Sequence, residues 1–261
     1  MIGAIIGDVV GSRFEFNNIK TKEFTLVTKN STYTDDTVLT IACMDWLLHA
    51  EIKDEVSAAK YLQKLAQEYP NAGYGGSFSS WMYMANPKPY NSCGNGSAMR
   101  ISPVGWVSDD PNVVKELSDT FTKVTHNHKE GMKGAYVTSE LIRMARNGKN
   151  KEQLKDFASK FYDLDFDYEE LRSTYVHGPE ICQLTVPEAL YCFFISTSFE
   201  DCLRTTISIG GDCDTTAAIS CAVAEAYYKV IPASLVNDVI NTLPLEMRGV
   251  INEFKERYGG F

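Results

Sequence analysis

Two short segments of the chain combine paired acids with hydroxyl side chains. Residues 33–37 read Tyr-Thr-Asp-Asp-Thr, and residues 210–216 read Gly-Gly-Asp-Cys-Asp-Thr-Thr. Each precedes an apolar run with helical spacing, so N-capping of a helix explains one acid or threonine in each segment. Two carboxylates with a neighbouring hydroxyl exceed that need. Oxygen-only groups of this kind suit Mg²⁺, Mn²⁺ or Ca²⁺, and the sequence leaves capping and metal binding as alternatives.

The N-terminal segment carries a glycine at every fourth residue. Gly3, Gly7 and Gly11 predict a helix with one smooth face, against which another helix can pack closely. The segment is not a phosphate-binding loop, because it lacks the Gly-x-Gly spacing and a P-loop lysine. It leads to Glu15, which stands between two phenylalanines and is either a surface residue or an acid carried into an enclosed site.

Electrostatics connects these segments. If Glu15, Asp35, Asp36, Asp212 and Asp214 converge without cations, like charges are forced together and several carboxyl pKa values rise. Two divalent cations would neutralise most of that charge. The sequence therefore predicts metal binding if the acids converge, and simple helix caps if they do not.

Composition limits the classes of partner. The chain has 261 residues and a formal net charge of −9, which predicts no bulk binding of nucleic acid or of an anionic membrane. Its seven cysteines include no Cys-x-x-Cys pair, so we expect reduced thiols and no zinc site. The N-terminus lacks the pattern of a signal peptide, and no apolar run approaches the ~18 residues of a membrane span. We expect a cytoplasmic protein and a monomer.

Helical periodicity dominates the chain and predicts an all-α fold, with residues 1–261 forming one compact domain. Strand signals are few, and residues 24–27 give the best of them. Residues 69–90 are rich in loop signals and are expected to border the site. Helices are predicted from Asp36 to Leu48, Val56 to Ala66, Met132 to Ala145, Leu154 to Phe161, Pro187 (at the first turn) to Phe194, Phe199 to Ile209 and Asp214 to Lys229, and near Leu235 and Met247.

Five sequence blocks occur in the order and spacing of a known family. They are Gly-Asp-x-x-Gly-x-x-x-Glu at 7–15, Tyr-Thr-Asp-Asp-Thr at 33–37, the Gly-Asn-Gly-Ser block at 94–105, Thr-His at 125–126 and Gly-Gly-Asp-x-Asp-Thr at 210–215. With these blocks the chain resembles the ADP-ribosylglycohydrolases along nearly its whole length. That family includes the enzyme that reactivates dinitrogenase reductase and the eukaryotic ADP-ribosyl-acceptor hydrolases.

The resemblance implies a compact ADP-ribosylglycohydrolase-like helical fold with two Mg²⁺ or Mn²⁺ ions in a cleft. The implied metal ligands are Thr34, Asp35, Asp36, Asp212, Asp214 and Thr215. The implied substrate-binding residues are Gly94, Asn95, Gly96, Ser97, His126, Tyr175 and Gly211. Glu15 matches the active-site glutamate, and either Glu15 or Asp36 is expected to be the general base. Cys221 and Glu225 depart from the family at positions where glycine is expected.

The resemblance also implies a reaction. We expect hydrolysis of the glycosidic bond at the ribose anomeric carbon, which removes ADP-ribose from a modified protein or a small conjugate, with arginine-linked ADP-ribose favoured. One alternative is a relative that binds ADP-ribose, or serves structurally, without turnover. Another is a phosphatase of the haloacid-dehalogenase type, because residues 212–216 fit Asp-x-Asp-x-Thr. That motif normally opens a Rossmann-like domain, and no parallel-sheet pattern is present in this sequence.

Overall fold

A computed structural model describes residues 1–176 and 178–259, and their regular structure is helical. Within those residues there is no β-strand, only an isolated bridge between Gly94 and Ile181. The predicted all-α class is confirmed. The helices are α1 (Ile2–Gly11), α2 (Asp35–His49), α3 (Glu55–Glu68), α4 (Gly76–Trp81), α5 (Gly96–Met99), α6 (Pro111–Lys123), α7 (Lys129–Arg146), α8 (Lys151–Ala158), α9 (Tyr168–Thr174), α10 (Cys182–Ile195), α11 (Phe199–Ile209), α12 (Cys213–Tyr228), α13 (Ala233–Ile240) and α14 (Leu245–Tyr258), with a 3₁₀ turn at Ser102–Trp106.

Helix α12 is the centre of the fold. It is buried from Cys213 to Ala226 and packs against α1, α7, α10 and α11. A helix with neighbours on every side must be apolar or small-sided all round, and residues 217–226 are mainly alanine, with serine and cysteine among them. The core therefore fixes the N-terminal end of α12, from which Asp212 and Asp214 project.

The glycine face of α1 brings the backbones of α1 and α12 into contact. A Cβ on Gly7 would lie 2.3 Å from the carbonyl carbon of Ala217. A Cβ on Gly11 would lie 2.5 Å from Cα of Asp214. Because even a methyl group does not fit at these distances, the predicted close packing is confirmed. Helix α12, the partner in this contact, carries the second acidic segment at its N-terminal end.

The two departures from the family pattern lie at this helix contact, away from the acidic segments. A Cβ on Gly3 would lie 2.2 Å from the carbonyl oxygen of Cys221. Oε2 of Glu225 accepts a hydrogen bond from the amide of Gly3 at 2.8 Å and pairs with the amino group of Met1. Buried charges are tolerated when they are paired in this way. Glu225 is thus a packing residue between α1 and α12.

Two predictions about individual elements are wrong. Pro187 does not open a helix but lies inside α10. A proline in a helix interior costs ~3 kcal/mol, and the burial of most of α10 outweighs that loss. Residues 24–27 do not form a strand. Phe24 instead packs edge-on against Phe14, and the Arg13 guanidinium binds two carbonyl oxygens of this irregular segment.

Three global features complete the fold. All seven cysteines are free thiols, as predicted. One hydrophobic cluster contains residues from Met1 to Phe254, while the assignment of a single domain stays a prediction. No helix in the described ranges combines the length and apolarity needed to cross a bilayer.

Candidate metal centre and cleft

The first acidic segment opens α2, and a threonine caps that helix. Thr34 is the N-cap, and its hydroxyl accepts a hydrogen bond from the Asp36 amide at 3.4 Å. The Asp8 carboxylate accepts hydrogen bonds from the Thr34 amide at 3.0 Å and the Thr34 hydroxyl at 2.8 Å. It also accepts from the amide and hydroxyl of Thr37. Capping by Thr34 leaves the two carboxylates at 35 and 36 for another purpose.

The second acidic segment opens α12 through a turn that requires glycine. Gly210 and Gly211 have φ values of 79° and 70°, which side-chain-bearing residues rarely adopt. The Asn18 side chain accepts from the Gly211 amide at 2.8 Å and donates to its carbonyl at 2.9 Å. Asp212 is the N-cap, yet its side chain makes no capping bond, and its Oδ2 accepts from Asn95 Nδ2 at 2.6 Å. Capping therefore does not explain this segment either.

The two segments meet where α2 and α12 begin. The Thr215 hydroxyl donates to Oδ2 of Asp36 at 3.1 Å. Carboxylate oxygens of Glu15, Asp212 and Asp214 lie within 4.8 Å of one another. Asp36 and Asp214 are each 3% exposed, and Oδ1 of each has no hydrogen-bond partner in the described part of the chain. The acids converge, which is the outcome for which the sequence predicts metal binding.

Burial and mutual repulsion raise the carboxyl pKa values of this cluster. Burial, followed by the charges of Asp8 and Asp212, raises the pKa of Asp35 to about 8. Burial also raises the pKa of Asp36 well above its ordinary value, with Asp8 and Asp35 adding repulsion. For Asp214, burial is again the largest cause of a strongly raised pKa, followed by Asp212 and Asp36. A cation among these groups would lower all three pKa values.

The available ligand atoms fit a divalent cation. A buried acceptor left without a donor costs free energy, so the unpaired oxygens of Asp36 and Asp214 call for a positive partner. The groups beside them are carboxylate and hydroxyl oxygens, the ligands that Mg²⁺ and Mn²⁺ prefer. The beginnings of α2 and α12, with Glu15, therefore form a candidate metal centre.

The candidate centre lines a cleft of about 370 Å³. Residues of the loop-rich segment 69–90, among them Gly73, Phe78 and Tyr90, form part of its wall, as the sequence predicts. Most of the predicted site residues face this space. They are Glu15, Thr34, Asp35, Asp36, Gly94, Asn95, Gly96, His126, Asp212, Asp214 and Thr215.

Three residues predicted to bind substrate do not line the cleft. The hydroxyl of buried Ser97 donates to the Gly131 carbonyl at 2.8 Å, which anchors α5 to α7. Gly211 lies against Tyr175, since a Cβ there would be 2.4 Å from Tyr175 Cε1. Tyr175 lines a neighbouring cavity, and its hydroxyl donates to the Leu184 carbonyl at 3.0 Å. A matched sequence block cannot separate residues that support a loop from residues that face the ligand.

His126 presents one ring nitrogen to the cleft as a donor. Arg100 Nη2 donates to Thr125 Oγ1 at 2.6 Å, which leaves the threonine proton for Nδ1 of His126 at 2.8 Å. Nε2 then carries the ring proton. A Cβ at Gly94 or Gly96 would lie 3.4 Å from Nε2, so glycine keeps this nitrogen accessible. Burial, and then the charge of Arg100, holds the pKa of His126 well below its usual range, so the ring is neutral.

Sequence reasoning assigned no role to Asp8 or Arg100. Asp8 organises the first acidic segment, and Arg100 sets the tautomer of His126 through Thr125. Both charged residues are buried inside otherwise apolar stretches. A charged residue within an apolar stretch was the sequence signal that could have identified Asp8 and Arg100, since fully buried charges are rare unless they are paired.

The fold and site define an all-helical protein with a buried acidic centre in a cleft, and comparisons with known proteins supply its family. The ADP-ribosylglycohydrolase family model matches residues 1–259. ADP-ribosylhydrolase ARH3 of Homo sapiens is 27% identical, with 87% of this chain and 84% of that protein covered. ADP-ribosyl-[dinitrogen reductase] glycohydrolase of Rhodospirillum rubrum is 25% identical, with 61% and 56% covered. A solved structure named ADP-ribosylglycohydrolase-related protein complex has the same fold, with a TM-score of 0.72, 23% identity and 98% and 97% coverage.

This chain belongs to the ADP-ribosylglycohydrolase family. The resemblance drawn from five short sequence blocks is thereby confirmed. The phosphatase alternative is contradicted, because residues 212–216 open a helix in an all-helical fold. In a Rossmann-like phosphatase the same motif would follow a β-strand.

Proposed function

We propose that this protein is a metal-dependent hydrolase that removes ADP-ribose from a modified acceptor by cleaving the glycosidic bond at the ribose anomeric carbon. The observation that carries the proposal is the convergence of Glu15, Asp36 and Asp214 at one cleft. Oδ1 of Asp36 and Oδ1 of Asp214 are buried there without a hydrogen-bond partner among the described residues. Membership of the family supports the choice of bond and of ADP-ribose as the released group.

Two Mg²⁺ or Mn²⁺ ions are the cofactors in this proposal. When bound, they supply electrostatic stabilisation and orient the ribose hydroxyls and a water molecule. Asn95 holds the carboxylate of Asp212, and Thr215 holds that of Asp36, so each has a fixed orientation. The proposed ligands are Thr34, Asp35, Asp36, Asp212, Asp214 and Thr215.

Donors and positive charge in the cleft suit the diphosphate of ADP-ribose. His126 offers its Nε2–H, and the buried guanidinium of Arg100 lies beside it. The glycines of the loop at 94–96 let a phosphate oxygen approach the backbone. Phe78 and Tyr90 add aromatic surface on which an adenine ring can stack.

Glu15 is the general base in this proposal, and Asp36 is a metal ligand. Asp36 is enclosed and bonded to Thr215, whereas Glu15 is only half-buried where it lines the cleft. Glu15 takes a proton from water as the water oxygen bonds to the anomeric carbon. The bond from that carbon to the acceptor breaks, and the acceptor atom leaves with the electron pair and takes up the proton that Glu15 removed from water, which restores the carboxylate.

A cationic acceptor such as arginine is our first choice. Glu15, Asp35 and Glu180 all line the cleft, and such acids attract a guanidinium group. The substrate is then an ADP-ribosylated protein or a small ADP-ribosyl conjugate. Serine-linked, nucleic-acid-linked and O-acetyl-ADP-ribose substrates belong in the same test.

Release of free ADP-ribose from this panel of linkages, with Mg²⁺, Mn²⁺ or EDTA, tests the proposal. We expect release from at least one linkage, and we expect EDTA or Asp214→Asn to abolish it. Glu15→Gln should lower kcat more than it changes KM, whereas Asp36→Asn should weaken metal binding. Glu169→Gln, at an exposed acid of α9, is the matched control and should retain activity. Undiminished release in excess EDTA would overturn the metal-dependent mechanism.

The same assay distinguishes a binding protein from an enzyme. Tight binding of ADP-ribose, together with no release from any linkage under any metal condition, would replace the hydrolase with a non-catalytic reader of ADP-ribose. Binding is measured by calorimetry on the metal-loaded protein.

A further inference from the structure

A second cavity of about 550 Å³ shares Asp212 with the cleft. Its walls come from α9 and the residues just before it, from α10, and from Tyr175, Val176, Gly178 and Pro179 between the two helices. Asn95 connects the two spaces, because its Nδ2 donates both to Asp212 Oδ2 at 2.6 Å and to Thr185 Oγ1 at 3.1 Å. Thr185 lines the second cavity, so one hydrogen-bonded pair of side chains lies between it and the candidate metal centre.

A buried carboxylate with one oxygen unpaired among the described residues lines this second cavity. Glu188 of α10 lines it and is 7% exposed, and its Oε2 is buried with no hydrogen-bond partner in the described residues. Such an oxygen pays a desolvation cost that a positively charged donor would offset. None of the described residues that line the cavity is a lysine, arginine or histidine. A ligand with a positively charged head would supply the missing donor.

The remaining walls suit an organic cation better than a bare metal ion. Phe166, Leu171 and the ring of Tyr175 supply apolar surface to the lining. Val176 and Leu184 also line the cavity, although they are 67% and 43% exposed. A small metal ion would leave this apolar surface uncovered, whereas an alkyl chain would bury it.

Further acids at the cavity favour the same class of ligand. Asp165, Asp167 and Glu170 are exposed residues of its lining. Exposed acids at an entrance raise the local concentration of cations and accelerate their binding. Together with the apolar walls, they describe a site with a charged end and an aliphatic body.

We propose that this cavity is a binding site for a small organic cation, an alkylguanidinium or alkylammonium ion, whose charged head pairs with Glu188 and whose aliphatic chain lies against Leu184 and Phe166. The site adjoins the cleft at Asp212, but its occupation does not depend on hydrolysis of any ADP-ribosyl bond. It therefore stands or falls independently of the proposed enzymatic function.

Calorimetric titration of the Mg²⁺-saturated protein with butylguanidinium tests this site. Burial raises the pKa of Glu188 to about 7, so the titration is run at pH 8, where the carboxylate is charged. We expect saturable binding to the wild type with one site per chain. Glu188→Gln should weaken it about tenfold or more, because a hydrogen bond to a charged group contributes that much affinity. Glu169→Gln removes an acid of α9 outside the cavity and should leave the affinity within about twofold of the wild type.

Two further measurements test whether binding depends on the charge of the ligand and whether it occurs outside the cleft. N-butylurea has nearly the same shape without the charge, and we expect it to bind at least about tenfold more weakly. Asp214→Asn alters the cleft and should keep butylguanidinium binding. The proposal would be overturned if Glu188→Gln bound butylguanidinium as well as the wild type did, or if N-butylurea bound as well as butylguanidinium. It would also be overturned by loss of binding in Asp214→Asn alone, or by no binding to the wild type at millimolar concentration. Retained ADP-ribosyl hydrolysis in Glu188→Gln would leave the enzymatic proposal untouched in all these cases.

Discussion

Three buried acids near the start of α2 and α12, Asp8, Asp36 and Asp214, differ in the number of hydrogen bonds that they accept. Asp8 accepts four hydrogen bonds from Thr34 and Thr37. Asp36 and Asp214 lie close by and are also buried, and each keeps one oxygen without a donor in the described part of the chain. Burial raises the pKa of all three carboxyls, so neither burial nor pKa separates them.

The number of hydrogen-bond donors distinguishes Asp8 from Asp36 and Asp214. A carboxylate that only joins two helices gains stability from every donor it receives. A carboxylate that binds a cation must keep an oxygen available, and it destabilises the metal-free fold. The same isosteric change, aspartate to asparagine, should therefore have opposite effects on stability at Asp8 and at Asp214.

The largest expected effect is on catalysis, at Asp214. Asp214→Asn should lower kcat for ADP-ribose release about a thousandfold, because metal stabilisation of a transition state is worth several kcal/mol. In EDTA at alkaline pH the same variant should unfold at a higher temperature than the wild type, because the wild-type carboxyl, whose pKa is strongly raised, then ionises while buried beside Asp212 and Asp36. Assays of release and thermal melts with and without Mg²⁺ measure both. A metal-free variant less stable than the wild type would break the comparison.

The next largest effect is on folding stability, at Asp8. Asp8→Asn places an amide donor against donors of Thr34 and Thr37 and should lower the free energy of unfolding by about 4 kcal/mol. Urea denaturation gives the value. Asp156→Asn, at an exposed position of α8, should change it by less than about 0.5 kcal/mol. If Asp8→Asn changed the free energy of unfolding as little as this control does, the hydrogen bonds of Asp8 would not stabilise the fold.

A third prediction concerns α1, which contacts both groups of acids. Gly7→Ala puts a methyl group 2.3 Å from the Ala217 backbone and should destabilise the protein by about 3 kcal/mol. Gly249→Ala on α14 has open space around the new Cβ and should stabilise the protein by about 0.5–1 kcal/mol. Chemical denaturation of the two variants provides the test. Equal effects would mean that α1 and α12 are free to move apart.

The smallest effect extends the comparison to Glu188, another buried acid with an unpaired oxygen. Its folded-state pKa is raised by burial to about 7 from 4.5, so the wild type loses stability as the pH rises through 7. Glu188→Gln should match the wild type below pH 4.5 and be about 2 kcal/mol more stable at pH 9. Denaturation at the two pH values measures this difference. A constant difference between the variants across this range would contradict it.

The sequence predicts helices best where apolar spacing is strong and local. Helix α11 runs from Phe199 to Ile209, as the periodicity predicts. The prediction for Pro187 is wrong because a helix start was inferred from local preference, whereas tertiary burial keeps α10 helical through the proline. Residues 24–27 have strand-like composition but no strand to pair with, and composition alone cannot supply one.

The candidate site follows the same rule. The acids at 35, 36, 212 and 214 could be predicted because each pair lies within one short segment that also resembles a family block. The partners of Asp8, Arg100 and Glu188 could not, because they depend on contacts between residues 25 or more positions apart, or on the absence of any partner. The resemblance implies that Tyr175 binds substrate in the cleft, but Tyr175 lines the second cavity.

The backbone contact between α1 and α12 has a consequence for the size of ion that the centre accepts. Gly11 touches the Cα of Asp214, and Asp8 of the same helix holds the turn that precedes Asp36. The one side chain in that path, the Asp8 carboxylate, is fixed by four hydrogen bonds, so the spacing of the two acidic segments has little freedom to widen. Ca²⁺ needs longer bonds and more ligands than Mg²⁺, which demands a small and nearly ideal octahedral shell. A rigid frame of this kind should therefore admit Mg²⁺ or Mn²⁺ and accommodate Ca²⁺ poorly.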